Sequence, residues 1–345
     1  MSGYGALSGI VYARRHLESR PASGARYGHR HKNQSTSNCS EEKGRSTLRA
    51  DTQIQEILAK CDILKRATLW PSEPVLRPRA WLENFEEPDI YIAAFLLDKF
   101  TFYNRTLTDA LLVASYQSIG DGMPKGPASP SSMDLVASLD TAIITPVKGE
   151  HPNPTDSGYL VCRKARQLLR LNDTFIQDTD IAIQHAYDGK TVVFLDDFVG
   201  SGDQFLTTWK TEDSSGRSFA KANSISQFTA IYVTLVTTDF GLKNIHDNAP
   251  TVAVCATHVL DKRSTLEGVL ESNPNMRSPI LKFLAKYSSK LNPAEQYIAN
   301  CQNYLMFGYK NRGLMFGFEH SIPDATLPIF WAPGQDSWEP LIERS

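Results

Sequence analysis

Apolar positions recur at three- and four-residue steps through residues 51–120. Ile54, Ile57, Leu58, Cys61, Leu64 and Leu69 share one helical face, and Trp81, Leu82 and Phe85 form another. Pro88 suits the first turn of a helix through Ile90, Ala94, Leu97 and Phe100, where a missing N–H costs nothing. Leu107, Leu111, Leu112 and Ser115 continue the period. This predicts a helical module whose Trp and Phe residues are core. Residues 120–132 are Gly-, Pro- and Ser-rich loop punctuation. After them the period changes. Short β-branched runs at 142–147, 191–195, 230–236 and 251–255 read as strands, with helical stretches at 158–171 and 203–210. Alternation of this kind predicts an α/β unit: a parallel sheet flanked by helices, with right-handed crossovers. Ligands of such sheets bind at the carboxyl ends of the strands, so chemistry is expected after Val147 and after Leu195. From Ser278 the pattern is helical again (Ile280, Leu281, Leu284, then Tyr297, Cys301 and Leu305). The chain closes with residues 314–318 and a Pro- and Trp-rich tail, in which Trp331 and Trp338 read as packing. A stacking platform for a base is the alternative reading of the two tryptophans.

Composition changes this picture mainly at the N-terminus. The 345 residues are 41% hydrophobic and carry a net charge of −2, which fits a sizeable core and gives no footprint of a dedicated duplex-DNA-binding surface. Residues 1–50 hold nine basic and three acidic residues, with few aliphatic runs. That composition predicts a disordered basic leader, either a plain tail or a transit-like segment. The resulting division is 1–50 leader, 51–120 helical module and 133–345 α/β domain with a helical, Trp/Pro-rich extension. The longest apolar run, residues 90–97, is far short of the roughly 20 needed to span a bilayer, so no membrane association is expected. Five widely spaced cysteines (Cys39, Cys61, Cys162, Cys255, Cys301) suit neither a disulfide framework nor a zinc site, and the expectation is a reduced, cytoplasmic protein.

The most informative stretch is residues 190–204, KTVVFLDDFVGSGDQ. An apolar strand ends in Asp196 and Asp197, and a Gly-Ser-Gly loop opens a helix. Glycines let a backbone approach a ligand closely, and the amides of Gly200, Ser201, Gly202, Asp203 and Gln204, backed by a helix N-terminus, suit a phosphate. Two carboxylates beside that site can accept bonds from vicinal hydroxyls and favour a nearby Mg²⁺, held directly or through water. Phosphate and diol together describe a 5-phosphorylated ribose. The plain alternative is strand-end solubility and a tight turn. After the strand at 142–147, Lys148 and Gly149 are candidates for a second anion loop. Ser157 and Gly158, opening the next helix, are candidates for the same purpose. An ordinary turn is the alternative there, and Arg163, Lys164 and Arg166 read equally well as a solvated helix face. No Walker A loop, GxGxxG, zinc-protease or Ser-His-Asp signature is present. His185, His246, His258 and His320 lack metal-like spacing and read as structural or exposed.

Residues 190–204 resemble the phosphoribosyl-diphosphate (PRPP) motif of type I phosphoribosyltransferases. The resemblance implies a Rossmann-like phosphoribosyltransferase fold and Mg²⁺ as cofactor. In it Asp196 and Asp197 hold the ribose hydroxyls, residues 200–204 form the 5-phosphate loop, and Lys148-Gly149 meets pyrophosphate. Lys148, Asp196 and Asp197 are then the candidate catalytic residues. Two departures stand out. The usual loop ends in Gly or Lys then Thr, where this chain has Asp203 and Gln204. The loop acid of purine-salvage members is replaced by Gly200. A carboxylate at 203 is unfavourable beside phosphate unless it faces away, for example as a helix N-cap. No hood for a nucleobase is evident. The flanks (Trp81-Leu-Glu-Asn-Phe85, Phe100-Thr-Phe-Tyr103, Gly308-Tyr309, Thr326-Leu-Pro-Ile-Phe-Trp331, Trp338-Glu-Pro-Leu341) resemble the bacterial PRTase-CE family over residues 79–344. That implies a fused helical module and a role in conflict or antiphage systems. Three readings follow: a glycosyl-transfer enzyme acting on PRPP or a nucleotide, a non-catalytic PRPP or nucleotide sensor, and a structural partner in an operon-encoded complex.

Overall fold

The computed structural model describes residues 37–122, 137–149, 156–226, 228–293 and 303–344. The expected leader up to residue 36, most of the loop at 120–132 and the helical pattern at Tyr297 and Cys301 lie outside the described residues. The chain divides into two units, Met1–Thr47 and Leu48–Ser345. The first described helix is Ser37–Arg66, which runs across position 50, where composition sets the leader's end.

Four strands form a parallel sheet in sequential order: β2 (Ile143–Pro146), β3 (Val192–Val199), β4 (Ala230–Thr238) and β5 (Ala253–Leu260). Register pairs Ile143 with Val192, Leu195 with Val233 and Val233 with Cys255. The two central strands are buried almost throughout, as a sheet covered on both faces requires. Successive strand residues point to opposite faces, and the core divides accordingly. Val193, Leu195, Ile231 and Val233 pack with Leu112, Val161 and Ala165 from helices Arg105–Gln117 and Ser157–Leu169. Val192, Phe194 and Tyr232 pack on the other face with Ile183, Phe205, Trp209 and Ile245. The protein is therefore a mixed α/β fold, a parallel sheet flanked by helices.

A third core joins the first helical third of the chain to its end. Trp81, Phe85 and Phe100 pack with Phe283, Tyr287, Phe330 and Trp331. Trp81 donates its indole N–H to the Ile329 carbonyl at 2.8 Å, and Trp331 donates to Thr326 at 3.1 Å. Both tryptophans thus combine apolar burial with a satisfied donor. Trp338 packs edge-on against Phe85, which is the packing role read from the tail. A two-stranded parallel sheet reinforces this union: β1 (Thr101–Tyr103) pairs with β6 (Phe316–Phe318) across more than 200 residues of chain. The helical module and the C-terminal extension share one core. Among the described residues no helix is long and apolar enough to cross a membrane.

Candidate functional site

The site forms at the carboxyl ends of β2 and β3. The helix Ser157–Leu169 starts directly beside the end of β2, because Gly158 has no side chain: a Cβ there would lie 2.6 Å from the Val147 carbonyl oxygen. Asp156 precedes this helix but makes no capping bond. Its Oδ2 instead accepts the Gly149 amide at 3.1 Å, closing the turn after β2. The structure thereby brings Gly149, Ser157 and Gly158 together and sets the Ser157 hydroxyl 3.5 Å from Asp196 Oδ1.

Asp196 and Asp197 are 2% and 5% exposed. They leave the strand in different directions. Asp196 accepts a 3.0 Å bond from the Tyr232 hydroxyl on β4, and its other oxygen accepts the Asp197 amide at 3.0 Å. Asp197 Oδ2 is 2.8 Å from His320 Nε2, whose ring stacks on Phe318. Burial, then the neighbouring Asp197 charge, push the Asp196 carboxyl well above the usual range. Burial also pushes Asp197 up, but the bond and charge of His320 outweigh it and hold that carboxyl below its usual value. The pair therefore favours different protonation states. Cys162 lies near Asp196. Burial pushes its thiol up to about 12, which makes it an inert wall rather than a nucleophile.

The loop after β3 is oriented by hydrogen bonds on its far side. The Thr238 hydroxyl donates to the Gly200 carbonyl, and Asn244 Nδ2 donates to the Ser201 carbonyl at 2.7 Å. In a trans peptide the following N–H points the opposite way. The amides of Ser201 and Gly202 consequently turn away from helix Asp239–Asn248. Gly202 caps the next helix, Asp203–Lys210, at φ 81, and a Cβ on it would meet Ile245 at 2.9 Å. The first amides of that helix have no intrahelical acceptor, and that of Asp203 donates to the Ser201 hydroxyl oxygen at 3.3 Å. An open groove of about 500 Å³, lined by Asp203, Leu206, Thr207 and Lys210 with Asn244 and Asn248, lies on the side of helix Asp239–Asn248.

Asp203 is the first residue of the helix and not its N-cap, which corrects the capping expectation. Its Oδ2 accepts the Ser201 hydroxyl at 2.7 Å and meets the Lys310 ammonium, and its Oδ1 is 3.4 Å from Asn244 Nδ2. Burial raises its pKa, but Lys310, Ser201 and Asn244 outweigh that and hold it below the usual range. Lys310 and Asn311 have φ 50 and 54. A non-glycine residue there costs about 1 kcal/mol or more, whereas an exposed ion pair returns about 0–1 kcal/mol.

The Lys148 ammonium ion-pairs with Asp178 and Asp180, at 3.7 and 3.4 Å, and no bond joins it to Asp196 or Asp197. Its amide lies 3.3 Å from the Thr208 hydroxyl. Sequence reading missed His320, Lys310, Tyr232 and Asn244, all of which touch the site. Only a fold that returns residues 308–320 to the sheet identifies the first two.

The PRTase-CE family model matches residues 78–344. The chain belongs to the PRTase-CE family. No curated protein matches it. Among solved structures, the AQ2163 protein from Aquifex aeolicus is similar at 13% identity and a TM-score of 0.27, over 45% of this chain and 76% of that one. So loose a likeness bears on neither fold nor function. Family membership gives the parallel sheet and its flanking helices a phosphoribosyltransferase-like frame.

Proposed function

We propose that this PRTase-CE protein binds PRPP or another 5-phosphorylated ribose, and acts on it as a glycosyl-transfer enzyme. The observation that carries the reading is the loop's orientation. Both carbonyls that could repel an anion are tied back to Thr238 and Asn244, leaving amides and a helix N-terminus forward. The 5-phosphate would lie on those amides with the Ser201 hydroxyl. The ribose hydroxyls would replace Tyr232 or His320 as partners of Asp196 and Asp197. The amides at Ser157 and Gly158 would face a leaving pyrophosphate and stabilise charge as it develops there. Lys148 could join them only by leaving Asp178 and Asp180.

Mg²⁺ fits this site in one form. Among the described residues no group of three or more His, Cys, Asp or Glu could hold a metal, so an all-protein cage is absent. A Mg²⁺ carried by a diphosphate and touching one or two carboxylates suits its preference for phosphate and water ligands. Asp196 and Asp197 are the residues placed for that. When bound, the ion would neutralise diphosphate charge. A role in bacterial conflict is an extension of family resemblance.

A second reading, a non-catalytic sensor, draws support from the acid pair itself. Both carboxylates already have protein partners, and Lys148 is engaged elsewhere. Thermal unfolding with millimolar PRPP and Mg²⁺ tests the shared part. Wild type is expected to gain stability, about 2.7 kcal/mol at a hundredfold excess over Kd. Asp196→Asn/Asp197→Asn is expected to lose the gain. No shift in wild type removes the proposal. Pyrophosphate release then separates enzyme from sensor.

A further inference from the structure

The loop after β3 carries an anomaly, a carboxylate where a phosphate is to bind. We propose that Lys310, brought in from the C-terminal segment, supplies the cation of the 5-phosphate site, and that Asp203 is its cradle. The inference rests on the 5-phosphate reading above.

The geometry points to Lys310 in three ways. Its ammonium meets Asp203 Oδ2, the same oxygen that accepts the Ser201 hydroxyl, so the cation lies beside the loop's own hydroxyl. An ammonium has three donors, and Asp203 is the one hydrogen-bond partner found for it among the described residues, which leaves donors for an anion. With 39% of its side chain exposed, it remains open to a ligand.

The turn that presents Lys310 is held from both ends. The Tyr309 amide donates to Asp324 at 2.8 Å, and the Gly313 amide to Phe307 at 2.7 Å. Gly308 leaves no room for a side chain, since a Cβ would lie 2.8 Å from the carbonyls of Asp324 and Thr326. Beside it, the Arg312 guanidinium lies 3.7 Å over the Phe240 ring. This scaffold keeps Lys310 and Asn311 left-handed, at a strain greater than an exposed ion pair returns. Strain of that kind, next to a candidate binding loop, fits a residue positioned for a ligand better than a surface staple.

The arrangement also explains Asp203. Paired with Lys310 it adds no net charge, and Asn244 with Ser201 keeps it turned to the lysine. A phosphate arriving on the loop amides would draw the ammonium and the Ser201 hydroxyl toward itself, leaving Asp203 with Asn244.

Calorimetric titration of the full chain with ribose 5-phosphate and PRPP tests this, using Lys310→Ala, Lys310→Arg, Asp203→Asn and Lys262→Ala as a remote charge control. Loss of one charged hydrogen-bond donor is expected to weaken binding about 10- to 100-fold in Lys310→Ala. Lys310→Arg should stay within about threefold of wild type, and so should Lys262→Ala. Asp203→Asn should weaken binding less than Lys310→Ala, because it removes the cradle's charge and leaves the lysine. Melting curves without ligand exclude misfolding as the cause. The proposal is overturned if Lys310→Ala binds like wild type, or if Asp203→Asn loses as much as Lys310→Ala, the mark of a structural staple. In those cases the 5-phosphate reading stands wherever Asp196→Asn/Asp197→Asn abolishes binding. If wild type binds neither compound at millimolar concentration, both fall together.

Discussion

Thr238 fixes the geometry on which the site depends, and its removal has a calculable cost. Its hydroxyl donates to the Gly200 carbonyl and accepts the Gly241 amide at 2.9 Å, so it both tethers the loop and caps helix Asp239–Asn248. Thr238→Val keeps the shape and deletes both bonds. The lost cap costs about 1 kcal/mol. The Gly200 carbonyl is packed where a Cβ on Gly241 would lie, 2.5 Å away, so water reaches it poorly once its donor is gone. Leaving it unsatisfied adds about 1–2 kcal/mol. The sum is about 2–3 kcal/mol, which at a urea m-value near 3 kcal/mol/M lowers the midpoint by roughly 0.7–1 M. Thr238→Ser keeps the hydroxyl and should lose much less. Urea unfolding followed by far-UV circular dichroism, with the three proteins in one buffer, reads both numbers. A Thr238→Val midpoint within about 0.3 M of wild type, or equal losses in Val and Ser, would refute the tether. If the tether holds, the Val variant should also bind ribose 5-phosphate more weakly, because the Ser201 amide is no longer aimed.

Other perturbations probe the surroundings. Gly158→Ala forces a Cβ to within 2.6 Å of Val147 O and should cost about 1–3 kcal/mol by overpacking, while Gly120→Ala, with nothing within 4 Å, should be nearly neutral in the same thermal melt. Phe330→Ala should cost about 3–5 kcal/mol, since its ring is fully buried 4.9 Å from Phe100 and 5.3 Å from Trp81; a loss under 1 kcal/mol would contradict a shared core. Asp196→Asn should stabilise the fold increasingly as pH rises. The folded state holds the Asp196 proton more tightly than the unfolded chain, so this group's stability is complete below the ordinary carboxyl range and is lost as pH climbs toward the raised folded value. Asp197, held low by His320, works in the opposite sense and is confined to acid pH. Melting temperatures of Asp196→Asn minus wild type from pH 4 to 8 should grow; a flat difference argues against an ionisation penalty.

Much of the sheet was legible because each strand is a short apolar run ending in turn residues. Residues 203–210 were placed as a helix, and Asp203–Lys210 is one. The strands were read short at their carboxyl ends: β3 continues from Leu195 to Val199 through two acids, and β5 continues to Leu260 through Thr257 and His258. Polar residues break the apolar pattern where the backbone stays extended, because Tyr232, Tyr103 and Ser115 supply or receive the hydrogen bonds that Asp196, His258 and Thr257 need. The acid pair and loop were visible as a contiguous motif. Their partners were not. Lys310 and His320 lie 107 and 123 residues from the groups they meet, and the pairing of β1 with β6, with the bridge from Leu314 to Thr265, brings them there.

That long return matters for how the chain is divided. Sequence composition separates a helical module from an α/β domain, yet Trp81 and Phe85 are buried with Phe283 and Phe330, and β1 pairs with β6. His320 follows β6 by two residues and reaches Asp197; Lys310 precedes it and reaches Asp203. The helical module therefore fixes the strand from which both site contacts hang. Buried carboxylates stay charged in a core only where partners compensate them, and Asp197 depends on a histidine delivered this way. Asp196, bonded to the neutral Tyr232 hydroxyl, carries the ionisation cost instead. A core built only for stability would place an amide or an apolar residue there, and that is what makes Asp196 a candidate for chemistry under the proposed reading.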